Sequence, residues 1–148
     1  TLANAAANGL TVADSKAQLF RESDVLTLQV RLVPETRGIV TAADLALMKP
    51  TAVLVNTARA PLIEPGALEQ ALAAGRPGRA AVDVYEDEPV VSHPLVAMPN
   101  AVCTPHLGYA EWDNYEAYLG EAFRNLLAFR DGAPNNIVNP EVLAAVRD

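Results

Sequence analysis

A single cysteine, Cys103, stands among 148 residues. No intrachain disulfide can form, and a reducing, cytoplasmic setting is the expected one. Cys103 falls in the apolar run Ala101-Val102-Cys103 and reads as a small core residue rather than a nucleophile. No apolar stretch approaches the ~20 residues a membrane helix needs, and no basic-then-apolar leader opens the chain. Basic residues are in the minority, 11 Lys and Arg against 18 Asp and Glu, for a formal net charge of −7. This balance argues against nucleic acid or an anionic membrane as the main partner. An anionic small molecule would need a locally placed cation to draw it in. No Gly-x-Ser-x-Gly elbow occurs, which disfavours a hydrolase built on His106 with Ser92 or Cys103. No Gly-x-Gly-x-x-Gly occurs either, so the phosphate-cradling loop of a dinucleotide fold is not in this chain. Gly75-Arg76-Pro77-Gly78 reads only as a turn. No metal site is expected.

The remaining composition is that of a globular domain, with 51% hydrophobic and 20% charged residues. Apolar, β-rich runs recur at Leu10–Ala13, Val25–Val30, Ala52–Val55, Ala80–Val84 and Ala101–Cys103. Several are nearly continuous, which suits strands covered on both faces. Helix-like segments lie around and between them. Ser15–Arg21 carries Ser15 as N-cap, and Thr41–Met48 carries Thr41 with Asp44 at the capping-box position. Glu64–Ala74 is rich in Ala and Leu and stops at Gly75. The alternation predicts a parallel α/β sheet with right-handed crossovers and helices on its two faces. The chain opens at Thr1 inside what reads as the end of a helix, stopped by Asn8-Gly9, and is expected to lack an amino-terminal part. A long helix from about Ala110 to Arg130 places Tyr115, Leu119, Ala122, Leu126 and Phe129 on one stripe. Asp131-Gly132 stops it, an extended tail follows over 135–139, and 141–147 reads as a last helical turn.

Three short stretches follow strands and so fall where a parallel sheet offers side chains to a ligand. They are Val55-Asn56-Thr57-Ala58-Arg59, Asp83-Val84-Tyr85-Glu86-Asp87-Glu88-Pro89 and Thr104-Pro105-His106-Leu107-Gly108. The Arg59 guanidinium is a planar donor fork that matches a carboxylate. His106 is suited to proton transfer. One of Glu86, Asp87 and Glu88 could orient that imidazole and favour its charged form, and the residues alone do not choose among them. Asp83 interrupts an apolar run, where a carboxylate is costly unless paired. His93, in Ser92-His93-Pro94-Leu95, reads as a turn residue.

With Ser15-Lys16-Ala17-Gln18-Leu19-Phe20, Glu35-Thr36-Arg37-Gly38, Leu47-Met48-Lys49-Pro50 and His93-Pro94-Leu95, these stretches resemble the D-isomer-specific 2-hydroxyacid dehydrogenase family over nearly the whole chain. The resemblance implies a partial Rossmann-like, doubly wound sheet. Residues 1–109 would be the later part of the dinucleotide-binding domain, and residues 110–148 a connecting helix and tail packing toward the substrate domain. It implies hydride transfer between a nicotinamide and a 2-hydroxyacid or 2-ketoacid, with NAD expected and NADP left open. By the resemblance Arg59, Glu88 and His106 are catalytic: Arg59 binds the substrate carboxylate, Glu88 holds His106 and His106 is the acid–base. Thr57, Ala58, Arg59, Asp83, His106 and Gly108 are cofactor-binding, and residues 30–34 form a loop beside the cofactor. A homodimer is also implied. Glu88 stands where the formate-oxidising branch carries Gln, which favours a 2-hydroxyacid or 2-ketoacid. Two departures stand out. Ala60 replaces the usual Gly, at a cost of about 1 kcal/mol if that backbone needs a positive φ. Glu64-Pro65 replaces Asp-Glu and reads as a variant helix start. The rival expectation is a non-catalytic dinucleotide-sensing interaction protein on the same scaffold, resembling corepressors.

Overall fold

The computed structural model describes residues 2–144, which form two units, one running up to Leu107 and one from Gly108. The start at Thr1 and the end of the 141–147 turn lie outside the described residues.

The first unit is built on four parallel strands in sequential order: β1 (Val25–Leu28), β2 (Val53–Asn56), β3 (Arg79–Val82) and β4 (Ala101–Cys103). The register pairs Leu26 with Leu54, Leu54 with Ala80, and Ala80 with Ala101. The ends Leu28, Asn56, Val82 and Cys103 therefore line up along one carboxyl edge. Four helices belong to this unit: α1 (Leu2–Ala7), α2 (Lys16–Glu22), α3 (Ala42–Leu47) and α4 (Ala67–Ala73).

The expected start signals operate. Ser15 accepts from the Gln18 amide, and Thr41 accepts from the Asp44 amide while the Asp44 carboxylate accepts from Thr41. Burial pushes the Asp44 carboxyl upward, but bonds from Lys16 and Thr41 outweigh it and hold it below the usual range. The Glu64 carboxylate accepts from the Ala42 amide at 2.9 Å, placing a negative charge at the start of α3. Pro65 and Gly66 then lead into α4, so Glu64-Pro65 does precede a helix. Ala60 lies in a short 3-10 turn, Ala60–Leu62, outside the left-handed region, so the departure from Gly costs no backbone strain there. Gly78 does need to be glycine: an added Cβ would lie 1.9 Å from the Pro50 carbonyl oxygen.

Two expectations are corrected. Leu10–Ala13 is not a strand: β1 pairs only with β2, and Leu10 is exposed. An apolar run becomes a strand only where a neighbouring ladder takes up its backbone groups. Nor do the helices packed on the sheet, α2, α3 and α4, fall on two faces. A sheet ordered 1-2-3-4, joined by crossovers of one hand, carries its connections on one side. Accordingly α2 packs on α3 and α3 on α4. Their Phe20, Leu45, Leu68 and Leu72 join Leu26, Leu28, Leu54 and Val82 in a single core. The strands alternate buried with exposed or half-buried positions instead of being covered on both sides.

The second unit consists of α5 (Trp112–Arg130) and a tail. The helix starts two residues later than expected and ends at Asp131, followed by Gly132 in the left-handed region. Its apolar stripe is exposed, and the helix buries no residue. Asn136 hooks the tail back by donating to Glu121 and Asn125. A 3-10 turn occupies Pro140–Ala144. Among the described residues no helix is long and apolar enough to cross a membrane.

Candidate active site

β2 delivers Asn56 to the carboxyl edge, where it is 1% exposed. Its side chain fixes the turn that follows. Nδ2 donates to the Arg59 carbonyl at 3.0 Å, and Oδ1 accepts from the Ala58 amide at 3.1 Å. Arg59 is exposed on this fixed turn, with Nη1 donating to the Ala58 carbonyl at 2.6 Å. Thr57 is exposed and Ala58 half-buried on the same turn.

β3 delivers Asp83, buried to 4% exposure. Its cost of burial is met by hydrogen bonds to the neighbouring strand end. Oδ1 accepts from the Thr104 hydroxyl at 2.5 Å and from the Leu107 amide at 2.9 Å. These two contacts bracket His106, whose φ of 53° lies in the left-handed region. A non-glycine residue holds that conformation only when its surroundings impose it, and the Asp83 clamp is such a constraint.

The segment after Asp83 turns back toward His106. Glu88 Oε1 accepts from the Tyr85 amide at 2.9 Å, and Oε2 lies 2.6 Å from His106 Nδ1. Hydrogen bonding to His106, then to the Tyr85 amide, holds the Glu88 carboxyl below the ordinary range, and the nearby charge of Arg59 adds to the effect. An ionised Glu88 can only accept, so Nδ1 of His106 is the donor in this contact. The structure thus separates the three acids. Glu86 approaches His93 Nε2 at 3.3 Å instead, in a turn where His93 Nδ1 accepts from the Leu95 amide.

Tyr85 ties the two loops together. Its hydroxyl donates to the Thr104 carbonyl at 3.1 Å, and its ring meets His93 edge-on at 5.2 Å. Burial, followed by contact with Cys103, pushes its phenol up to about 12. Cys103 itself is half-buried against the core. Asn56 and Tyr85 are the supporting residues that sequence reasoning missed. The only local signal was a polar side chain closing an apolar strand, in the case of Asn56.

Glu88 thus meets His106 directly, the charge of Arg59 reaches Glu88, and Asp83 holds the residues on either side of His106. Gly108 opens the second unit and is described with it. Beside Arg59 lies a pocket of about 340 Å³, lined by Gln29, Val30, Arg31, Leu32, Ala58 and Arg59. Three strand ends and an adjoining pocket fit a dinucleotide bound at the carboxyl edge of a parallel sheet. The residues that would cradle its phosphates through a glycine loop are not in this chain.

Comparison with known proteins identifies the family and the fold. Residues 2–108 match the family model described as D-isomer specific 2-hydroxyacid dehydrogenase, NAD binding domain. A glyoxylate reductase of Aeropyrum pernix is 43% identical over 131 residues, which are 87% of this chain and 39% of that protein. A phosphoglycerate oxidoreductase structure from Vibrio cholerae superposes with a TM-score of 0.81 at 47% identity, covering 88% of this chain and 42% of the other. The NAD-complexed D-isomer specific 2-hydroxyacid dehydrogenase of Lactobacillus delbrueckii gives 0.73 at 27% identity, over 87% and 44%. The chain spans about two-fifths of the length of these relatives.

Proposed function

Since this chain belongs to the D-isomer specific 2-hydroxyacid dehydrogenase family, as its NAD binding domain, we propose that it serves an NAD-linked oxidoreductase acting at carbon 2 of a small 2-hydroxyacid or 2-ketoacid. The observation that carries this reading is the 2.6 Å contact between an ionised Glu88 and Nδ1 of His106.

When bound, the nicotinamide supplies or accepts the hydride. The protein's part is to bind, orient and move a proton. Arg59 takes the substrate carboxylate with two parallel N–H donors. That fixes carbon 2 and its oxygen near His106. In the reducing direction His106 Nε2 donates a proton to the carbonyl oxygen as carbon 2 is reduced. Glu88 stabilises the imidazolium that makes this possible. In the oxidising direction the same nitrogen removes the hydroxyl proton. Thr57, Ala58, Asp83 and Gly108 line the nicotinamide side. Residues 1–109 act as the later part of the dinucleotide domain. Residues 110–148 connect it to a substrate domain, and the exposed stripe of α5 is covered by that domain or by a second subunit of a homodimer.

The test is NADH oxidation, followed at 340 nm, by the full-length protein with a panel of 2-ketoacids that includes glyoxylate and hydroxypyruvate. Steady turnover with at least one acid is expected. NADH binding without turnover on any acid would overturn the reading in favour of a dinucleotide sensor.

A further inference from the structure

The pocket beside Arg59 holds a second guanidinium. Arg31 and Arg59 both line it, and no acidic residue does. In a chain of net charge −7 that is a local reversal of sign. The nearby Glu88 carboxylate offsets part of the Arg59 charge, and Arg31 adds a second cation to the pocket lining. Among the described residues, no hydrogen bond or ion pair reaches the Arg31 guanidinium. Its backbone, in contrast, is fixed. The Thr36 hydroxyl donates to the Arg31 carbonyl at 2.7 Å and accepts from the Val33 amide at 2.9 Å, closing the loop after β1. A free donor fork on a pinned loop, facing the same space as the carboxylate anchor, is prepared for an anion.

We propose that Arg31 binds a second anionic group, a carboxylate or phosphate distinct from the carboxylate held by Arg59. This rests on the reading above for the identity of the first anion. Two sources share the chemistry. One is an acidic arm on the substrate itself, which would make Arg31 a determinant of substrate choice. The other is a phosphate of the dinucleotide, which would make Arg31 part of cofactor binding in a chain region without a glycine loop.

Dissociation constants measured by calorimetry on the full-length protein separate the two. The probes are glyoxylate, 2-oxoglutarate, 3-phosphohydroxypyruvate and NADH, each tested on wild type, Arg31→Ala and Arg31→Lys. If the arm belongs to the substrate, Arg31→Ala loses about 10- to 100-fold more affinity for the dianionic acids than for glyoxylate, and Arg31→Lys recovers part of it. If it belongs to the dinucleotide, NADH affinity falls by that factor and the ratio between the acids is kept. Constants within twofold of wild type for all four probes would overturn the proposal. So would an equal loss for every probe that Arg31→Lys does not relieve, or no measurable binding by wild type. None of these readings needs turnover. A protein that binds the probes but reduces no ketoacid would refute the proposed function and leave the Arg31 result standing.

Discussion

Glu88 and His106, 18 positions apart in sequence, meet through Oε2 and Nδ1 at 2.6 Å, and the other oxygen of the same carboxylate is held by the Tyr85 amide. The acid is thus fixed at both oxygens and commits the ring to one orientation. Replacing it should change how the ring handles a proton more than where it sits. Glu88→Gln keeps the shape and removes the charge. Turnover in the reducing direction is expected to fall about tenfold at neutral pH, as a charge-assisted bond becomes a neutral one. The acid limb of the rate profile should flatten, because the variant has no carboxylate there to protonate. The sign follows from the carboxyl's lowered value. The clasp is complete above the ordinary 4.5 and is lost only as pH falls through the lower folded value. An unchanged profile in the variant would remove Glu88 from the mechanism.

The Arg59 turn depends on Asn56. Asn56→Ala leaves the Arg59 carbonyl and the Ala58 amide without their buried partner. A loss of about 1–3 kcal/mol in stability is expected. The KM for the ketoacid should rise about tenfold, equivalent to one lost hydrogen bond, while the KM for NADH changes much less. Asn56→Asp, which keeps only the acceptor, should show the same split. A fall in Tm without any change in the KM for the acid would make Asn56 structural and nothing more.

Tyr85 offers a spectroscopic check on the loop pairing. Four tyrosines are present, and Tyr85 is the one pushed up to about 12 by burial and by Cys103. Because the folded value is raised, its contribution to stability is complete below pH 10 and is lost as pH rises toward 12. An ultraviolet titration at 295 nm should show a late ionisation step that Tyr85→Phe removes. A Tyr85 step near pH 10 would mean the ring is not enclosed as described.

Gly78 tests the packing between the start of β3 and the turn before β2. Gly78→Ala forces the Cβ against the Pro50 carbonyl, so one of the two segments has to move. Chemical denaturation should show a loss of about 1–3 kcal/mol, the usual range for overpacking. Stability equal to wild type would show that the approach is looser than 1.9 Å.

Much of this architecture could be read in the chain. The strand at Ala101–Cys103 and the caps at Ser15 and Thr41 follow from local pattern, because apolar runs and side-chain caps act over a few residues. Leu10–Ala13 misled for the same reason, since composition cannot supply a pairing partner. The choice of Glu88 came from the family resemblance, because three neighbouring acids look alike until a fold turns one of them toward the imidazole. Asp83 could be read as a costly buried charge, but not as the clamp on Thr104 and Leu107. That role exists only because the parallel register sets the ends of β3 and β4 side by side. Tyr85 was silent because its contacts depend on loop closure, which sequence spacing does not encode, and Asn56 showed only as a polar residue ending an apolar strand.

His106 is where these contacts converge, and its replacement reads the central assignment most directly. The measurement is kcat for ketoacid reduction by full-length His106→Ala, with NADH affinity measured alongside. A drop of about 10²–10⁴ with cofactor binding retained is the expected result. Turnover equal to wild type would show that the proton comes from elsewhere, and the Glu88–His106 pair would then have no catalytic part.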